Sequence, residues 1–99
     1  MSIIYHISTI TEWNNAKQKG FYIAPSLATE GFIHCSNENQ VKGVLQRYYS
    51  GKINLVKLVI DTDKLQAPLK YELAPSVNEL FPHIYGPINT DAVIKIIPI

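Results

Sequence analysis

Residues 54–60 read Asn-Leu-Val-Lys-Leu-Val-Ile, and Asp61 follows as a turn former. Aliphatic and β-branched side chains dominate this stretch, with only Lys57 set among them. That pattern makes it the strongest strand in the chain, largely buried, with Lys57 directed outward. The other segments are read as its cover.

Ile3-Ile4-Tyr5-His6-Ile7 is a first strand. Thr9-Ile10-Thr11-Glu12 fits a capping box, a hydroxyl followed three residues later by a glutamate. Ile10, Trp13, Ala16 and Lys17 follow at helical spacing, and Gly20 stands where a helix stops. Phe21-Tyr22-Ile23 is a short extended piece, and Pro25-Ser26 turns the chain. Gly31 to Cys35 is a further strand. Ser36 or Asn37 caps a second helix, with Gln40 reaching back. Val41, Val44, Leu45 and Tyr48 form its inner stripe, and Gly51 ends it. Lys64-Leu65 and Pro68 bracket a loop before a strand from Leu69 to Leu73. Pro75 to Pro82 reads as loop or a short helical turn. Pro82 to Pro87 is a rigid extended segment, and Ala92 to Ile97 is the closing strand. The order strand, helix, strand, helix, then strands suits α+β, with two main helices against a mixed or antiparallel sheet. With no linker or repeat, residues 1–99 are expected to form a single domain.

The 99 residues carry nine basic and eight acidic side chains, and Arg47 is the only arginine. Extended phosphate surfaces need several cations, often arginine forks, so an extended nucleic-acid surface is not expected. A small anion can still be held by backbone N–H groups at a helix start. Cys35 is alone, which rules out an internal disulfide and a Cys-x-x-Cys metal pair, and points to the cytoplasm. No apolar run reaches the ~20 residues of a membrane span. Gly-x-Gly-x-x-Gly and Gly-Lys-[Ser/Thr] loops are absent, so neither a Rossmann dinucleotide site nor a P-loop is supported.

The sequence has three histidines. His6 and His34 fall in strands, and His83 lies between prolines and a tyrosine. A histidine in a strand either marks a polar face or is a buried ring bonded to a backbone carbonyl. His6 is followed at two residues by Ser8, and His34 by Ser36. Period-two spacing puts each pair on one face, at a strand end just before a capped helix. Two such units make a cradle for ribose hydroxyls and a phosphate. Tyr22 and Tyr85 are candidates to stack on a base or nicotinamide ring. Ser26 in the Tyr22 loop and Asn89 complete the ligand-binding set. His34 or His83 would move a proton, a role suited to a side chain that ordinarily titrates near neutrality. Glu72, beside Tyr71, is the candidate carboxylate. A zinc site lacks any His-x-His or His-x-x-x-His spacing, and no metal is expected. Cys35 reads as a small core residue.

Several stretches together carry a resemblance: Tyr5-His6-Ile7, Ala16 with Gly20-Phe21-Tyr22, Gly31-Phe32-Ile33-His34-Cys35-Ser36 with Gln40, Gly51, Leu55 to Asp61, Tyr71-Glu72, and Phe81 to Asn89 with Ala92-Val93. The chain resembles, over nearly its whole length, the small, mostly bacterial proteins grouped as domain of unknown function 952. That family brings no established activity and no cofactor. Its fold looks like that of ADP-ribosyltransferases, which implies a bent or split sheet and a cleft in which NAD is a substrate. His6-Ile7-Ser8 resembles the first-strand motif of that superfamily, where the histidine holds a ribose hydroxyl. Tyr22 falls near a tyrosine that stacks on nicotinamide. The order of segments from His6 to His34 also resembles the RNA 2′-phosphotransferase branch. There are departures: the arginines of that branch are missing, Phe32 replaces a histidine, and His83 stands where transferases place a glutamate.

Three readings follow. One is an NAD- or ADP-ribose-binding protein, a transferase or glycohydrolase if it catalyses, with a small nucleotide-like ligand as its partner. The second is a binding module that kept the cleft without the chemistry. The third is a protein-interaction domain with dispersed, internally bonded histidines.

Overall fold

The computed structural model describes residues 2–99. The chain runs β1 (Ile3–Thr9), α1 (Ile10–Lys19), β2 (Phe21–Tyr22), α2 (Pro25–Glu30), β3 (Ile33–His34), α3 (Val41–Tyr48), β4 (Leu55–Asp61), β5 (Leu69–Ala74), β6 (Glu79–Ile84), β7 (Ile88–Asn89) and β8 (Val93–Pro98). The class is α+β. The strands are split into three sheets, ordered β1-β4-β8, β2-β7 and β3-β6-β5. Every pairing among the described residues is antiparallel, which is one of the two arrangements expected from the sequence, and no mixed sheet forms among them.

β4 is the strand the sequence singled out, and it lies between β1 and β8. Leu55, Val56, Leu58, Val59 and Ile60 are all buried, while Lys57 is half-buried with its ammonium 5.1 Å from the Tyr5 ring centre. Asp61 is the last residue of the strand and, as expected, starts a turn. Its carboxylate accepts from the Asp63 N–H at 3.0 Å and so caps the 3-10 turn Thr62–Lys64. Ile4, Leu58 and Ile60 meet Trp13 and Ala16 of α1, Tyr22, Ile33, Ile84 and Ile88 in the main core.

α1 forms as its signals predict. Thr9 Oγ1 accepts from the Glu12 N–H at 3.1 Å and Glu12 Oε1 accepts from the Thr9 N–H at 3.4 Å, which satisfies two helix-start donors reciprocally. Gly20 closes the helix at φ 87, a left-handed conformation that disfavours any side chain.

Four local expectations are corrected. Pro25 opens a helix rather than a turn, because at the first helical position its missing N–H leaves nothing unpaired. The strand expected over Gly31–Cys35 shrinks to Ile33–His34. Ser36 does not cap α3; Asn37 does so through the short 3-10 turn Glu38–Gln40, with Gln40 Oε1 accepting from the Asn37 N–H at 2.9 Å. Ser36 instead exchanges two backbone hydrogen bonds with Tyr5, of 2.8 and 2.7 Å, and thereby joins β1 to the chain leaving β3. Finally, residues 79–82, read as loop or a short helical turn, belong to β6. Pro82 is tolerated inside this strand because β3 is ending beside it: its carbonyl accepts from the Cys35 N–H at 2.9 Å, and its absent N–H removes one bond at the end of the ladder.

The stripe expected on α3 is only partly used. Val41 is buried, Val44 and Leu45 are half-buried, and Tyr48 is 60% exposed. Among the described residues no helix is long and apolar enough to cross a membrane.

Thr9 holds α1 through a single hydroxyl. Thr9→Ala is expected to lower unfolding stability by about 1 kcal/mol, read from urea denaturation, and Thr9→Ser to retain most of it.

Candidate functional site

His6 is buried in β1 and bonded through both ring nitrogens. Nδ1 lies 2.6 Å from the His34 carbonyl oxygen and Nε2 lies 2.9 Å from the Tyr22 hydroxyl. A carbonyl can only accept, so Nδ1 donates and Nε2 accepts from the Tyr22 O–H. The ring is then neutral, as its surroundings require: burial pushes its pKa down to about 4, against the smaller upward pull of the His34 carbonyl. Burial also pushes the Tyr22 phenol above its ordinary range, so the phenol keeps the proton it donates.

Above this ring lies a cleft of about 530 Å³. Val44, Tyr48 and Tyr49, on and just after α3, form one wall. Ala74 and Phe81 of the β5–β6 hairpin form the other. His6, Ile7 and Cys35 lie in the floor, and Glu30, His34, Ser36 and His83 complete the lining. The half-used stripe of α3 is explained here: Val44 and Tyr48 face the cleft instead of the core.

The β3–β6 register sets His34 directly opposite His83, and side chains opposite each other in an antiparallel pair share a face. Their ring centres are 5.1 Å apart, edge to face. Each ring also has a carboxylate. His34 Nε2 is 2.7 Å from Glu30 Oε2, and His83 Nδ1 is 2.8 Å from Glu72 Oε1. The Tyr85 O–H donates to that same Glu72 oxygen. The Tyr85 bond, and after it the His83 bond, hold the Glu72 carboxyl below its usual range, while Glu72 raises the Tyr85 phenol. The charge therefore rests on Glu72 and the proton on Tyr85. Phe32 stacks on His83 with ring centres 4.1 Å apart at 18°. With Nδ1 donating to Glu72, His83 presents Nε2 as its basic nitrogen, and that atom has no hydrogen-bond partner among the described residues. The two imidazoles differ in access, with side chains 53% exposed for His34 and 11% for His83.

Residues 7–96 match a family described as protein of unknown function (DUF952). The chain belongs to that family. It is similar to protein CC0527 from Caulobacter crescentus, whose crystal structure aligns with a TM-score of 0.87 at 30% identity over 96% of this chain and 83% of that one. The solution NMR structure of CC0527 gives a TM-score of 0.81 at 31% identity over 97% and 83%. Among curated proteins none matches the chain.

For this DUF952 chain, the residues singled out from sequence divide between cleft and interior. His34, His83, Ser36 and one face of His6 line the cleft, with Glu72 and Tyr85 attached to His83. Tyr22 is 2% exposed with its hydroxyl committed to His6, so it lies beneath the cleft and has no free face for stacking. Ser8 is buried and donates to the Thr9 carbonyl at 2.8 Å. Ser26 donates to the Phe32 carbonyl at 2.8 Å. Asn89 is buried and bridges the Lys64 carbonyl and the Gln66 N–H, at 2.8 and 3.0 Å. The two His-x-Ser units therefore do not form one cradle. The structure adds Glu30, Phe32, Phe81, Tyr48 and Tyr49 to the site; of these the sequence placed Tyr48 in the inner stripe of a helix and Phe32 in the place of a histidine. Phe32 had a usable signal, since it stands two residues from His34 and so shares its face. Glu30 had none, because its link to His34 runs from a helix end into a strand.

His6 generates a pH dependence with a definite sign. Its pKa falls from 6.5 in the unfolded chain to about 4 in the fold, so the unfolded chain takes up a proton that the native state refuses. The stability it supports is complete above pH 6.5 and is lost as pH falls through this window. The expected loss is about 1.4 kcal/mol per pH unit, reaching about 3 kcal/mol. Urea denaturation at a series of pH values should show this slope in the native chain, and a flatter profile in His6→Gln.

Proposed function

We propose that the cleft binds a small nucleotide-like ligand, of the NAD or ADP-ribose type, and that His83, set by Glu72, exchanges a proton with it. The observation that carries this reading is the His34–His83 pair, each ring backed by its own carboxylate, at the edge of a mainly aromatic and aliphatic cleft. Tyr48, Tyr49 and Phe81 suit the flat face of a base or a nicotinamide ring. Ser36 lines the cleft and its hydroxyl has no hydrogen-bond partner among the described residues, which leaves it for a ribose hydroxyl.

The resemblance to ADP-ribosyltransferases supports the ligand class but not the assignment of roles. His6, which would hold the ribose in that superfamily, has both nitrogens engaged within the protein. The ribose contact passes instead to His34, His83 and Ser36. None of the described lining residues is a lysine or arginine; two cations lie against its tyrosines, the Arg47 guanidinium 5.7 Å from the centre of the Tyr48 ring and the Lys52 ammonium 5.4 Å from that of Tyr49. A lining without cations suits the nucleoside end of the ligand, and the phosphate stays outside, on the side of Arg47 and Lys52.

His83 would act as base through Nε2 and return the proton as acid, with Glu72 stabilising the imidazolium in between. One specific observation favours binding without turnover. Glu72 is committed to His83 and Tyr85 and does not lie beside His6, so it does not supply the carboxylate that a departing nicotinamide would need next to an oxocarbenium-like sugar.

Calorimetric titration with NAD and ADP-ribose tests the reading. Saturable heat is expected, with affinity about tenfold lower in His83→Ala. No heat at millimolar ligand overturns the proposal. Chromatographic assay for released nicotinamide over hours separates a glycohydrolase from a binding module.

A further inference from the structure

β5 is the outer strand of its sheet: β6 pairs with one side, and no described strand pairs with the other. The Tyr85 N–H donates to the Pro68 carbonyl at 2.8 Å, which sets the alternation of the ladder. Lys70 and Glu72 turn their peptide groups toward β6, whereas Leu69, Tyr71 and Leu73 turn theirs outward. Tyr71, Leu73 and Leu80 are 47%, 55% and 54% exposed. The register Tyr71↔Pro82 and Leu73↔Leu80 puts them on one face of the hairpin. Open edges with apolar side chains are sticky, and proteins cover them or blunt them with charge.

The charges on this strand are Lys70 and Glu72, one residue to either side of Tyr71. We propose that two copies of this chain pair β5 with β5, antiparallel about Tyr71, to join two three-stranded sheets into one. In that register Lys70 faces Glu72 of the second copy and Glu72 faces its Lys70. On the opposite face Tyr71 meets Tyr71, and Leu69 meets Leu73. The strand is self-complementary, as a two-fold interface requires. Sliding it by two residues either way sets Lys70 against Lys70 or Glu72 against Glu72, which like-charge repulsion opposes. The charged face is also the face of His83, because Lys70 is the register partner of His83. Pairing therefore brings the second copy's Lys70 to Glu72, the carboxylate that fixes His83, so the partner adds a cation to the edge of the cleft. This inference stands apart from the identity of the ligand.

Sedimentation equilibrium of the full chain tests it, over a range up to millimolar concentration. The native chain is expected to approach twice its monomer mass. Lys70→Glu puts like charges together at both symmetry-related contacts and should weaken association by at least about tenfold. Tyr71→Pro removes an outward N–H and leaves the β5–β6 ladder intact, so it should sediment as a monomer with an unchanged circular dichroism spectrum. If Tyr71→Pro fails to fold, Lys70→Glu decides alone. A native chain that stays monomeric at millimolar concentration overturns the proposal, as does a dimer that Lys70→Glu leaves unweakened.

Discussion

The uncharged imidazole of His6 holds together parts of the fold that its ladders barely connect. It belongs to β1 in the first sheet, donates to the carbonyl of His34 on β3, and accepts from Tyr22 on β2. Those three strands lie in three different sheets. β2, β3 and β7 have only two residues each, far below the length at which strand pairing sustains itself. Their positions depend on what surrounds them, and His6 reaches two of the three. The arrangement works only while the ring is neutral: a protonated Nε2 would face the Tyr22 oxygen as a second donor, and burial would leave the charge unsolvated.

The same contact positions the cleft. Fixing the His34 carbonyl fixes the backbone of β3, and the β3–β6 register then sets the His34 ring beside His83. Histidines thus serve opposite ends in one small region. His6 is a structural ring with no spare nitrogen. His34 and His83 each bond one carboxylate and keep one nitrogen unengaged among the described residues. Burial and partner type decide the difference. A carbonyl and a phenol occupy a neutral ring on both sides, whereas a single carboxylate orients a ring through one nitrogen and leaves the other to face elsewhere.

Legibility in the sequence followed the range of the interactions. α1 was readable end to end because Thr9, Glu12 and Gly20 act on backbone within a few residues. β4 was readable because burial on both faces leaves a continuous apolar run. The helix at Pro25 and the strand through Pro82 were misread because proline's effect depends on where its missing N–H would have pointed. At Pro25 that is a free helix start, and at Pro82 the end of a neighbouring strand. His6 and His34 lie in strands as read, and His83, read as part of a rigid extended segment, lies in β6; but His6-Ile7-Ser8 and His34-Cys35-Ser36 look alike as strings. What separates them is non-local: Tyr22 comes back over His6, while Glu30 and the β6 register meet His34. The Glu72–His83–Tyr85 cluster spans the β5–β6 hairpin, and the sequence gives the candidates without the pairing, since β6 was hidden behind Pro82.

The width of the cleft rests on a residue that the sequence presented only as a cap. Gln40 uses its carbonyl oxygen on the Asn37 N–H, completing the capping box that starts the turn into α3. Its amide nitrogen is free to donate elsewhere, and it reaches the Leu80 carbonyl at 2.8 Å and Glu79 Oε1 at 3.3 Å. One buried side chain thereby ties the base of one cleft wall to the hairpin that forms the other. Both ends of the amide are satisfied, so this link carries no desolvation penalty of the kind an unpaired buried amide would. β5 hangs on the far side of that hairpin, with Glu72 facing His83 and the peptide groups of Tyr71 facing outward. Glu72 and His83 both ride on this hairpin, so whatever displaces it carries the oriented ring as a unit toward or away from the α3 wall, which makes the geometry of the site a property of the hairpin's attachment at Gln40 as much as of the histidines themselves.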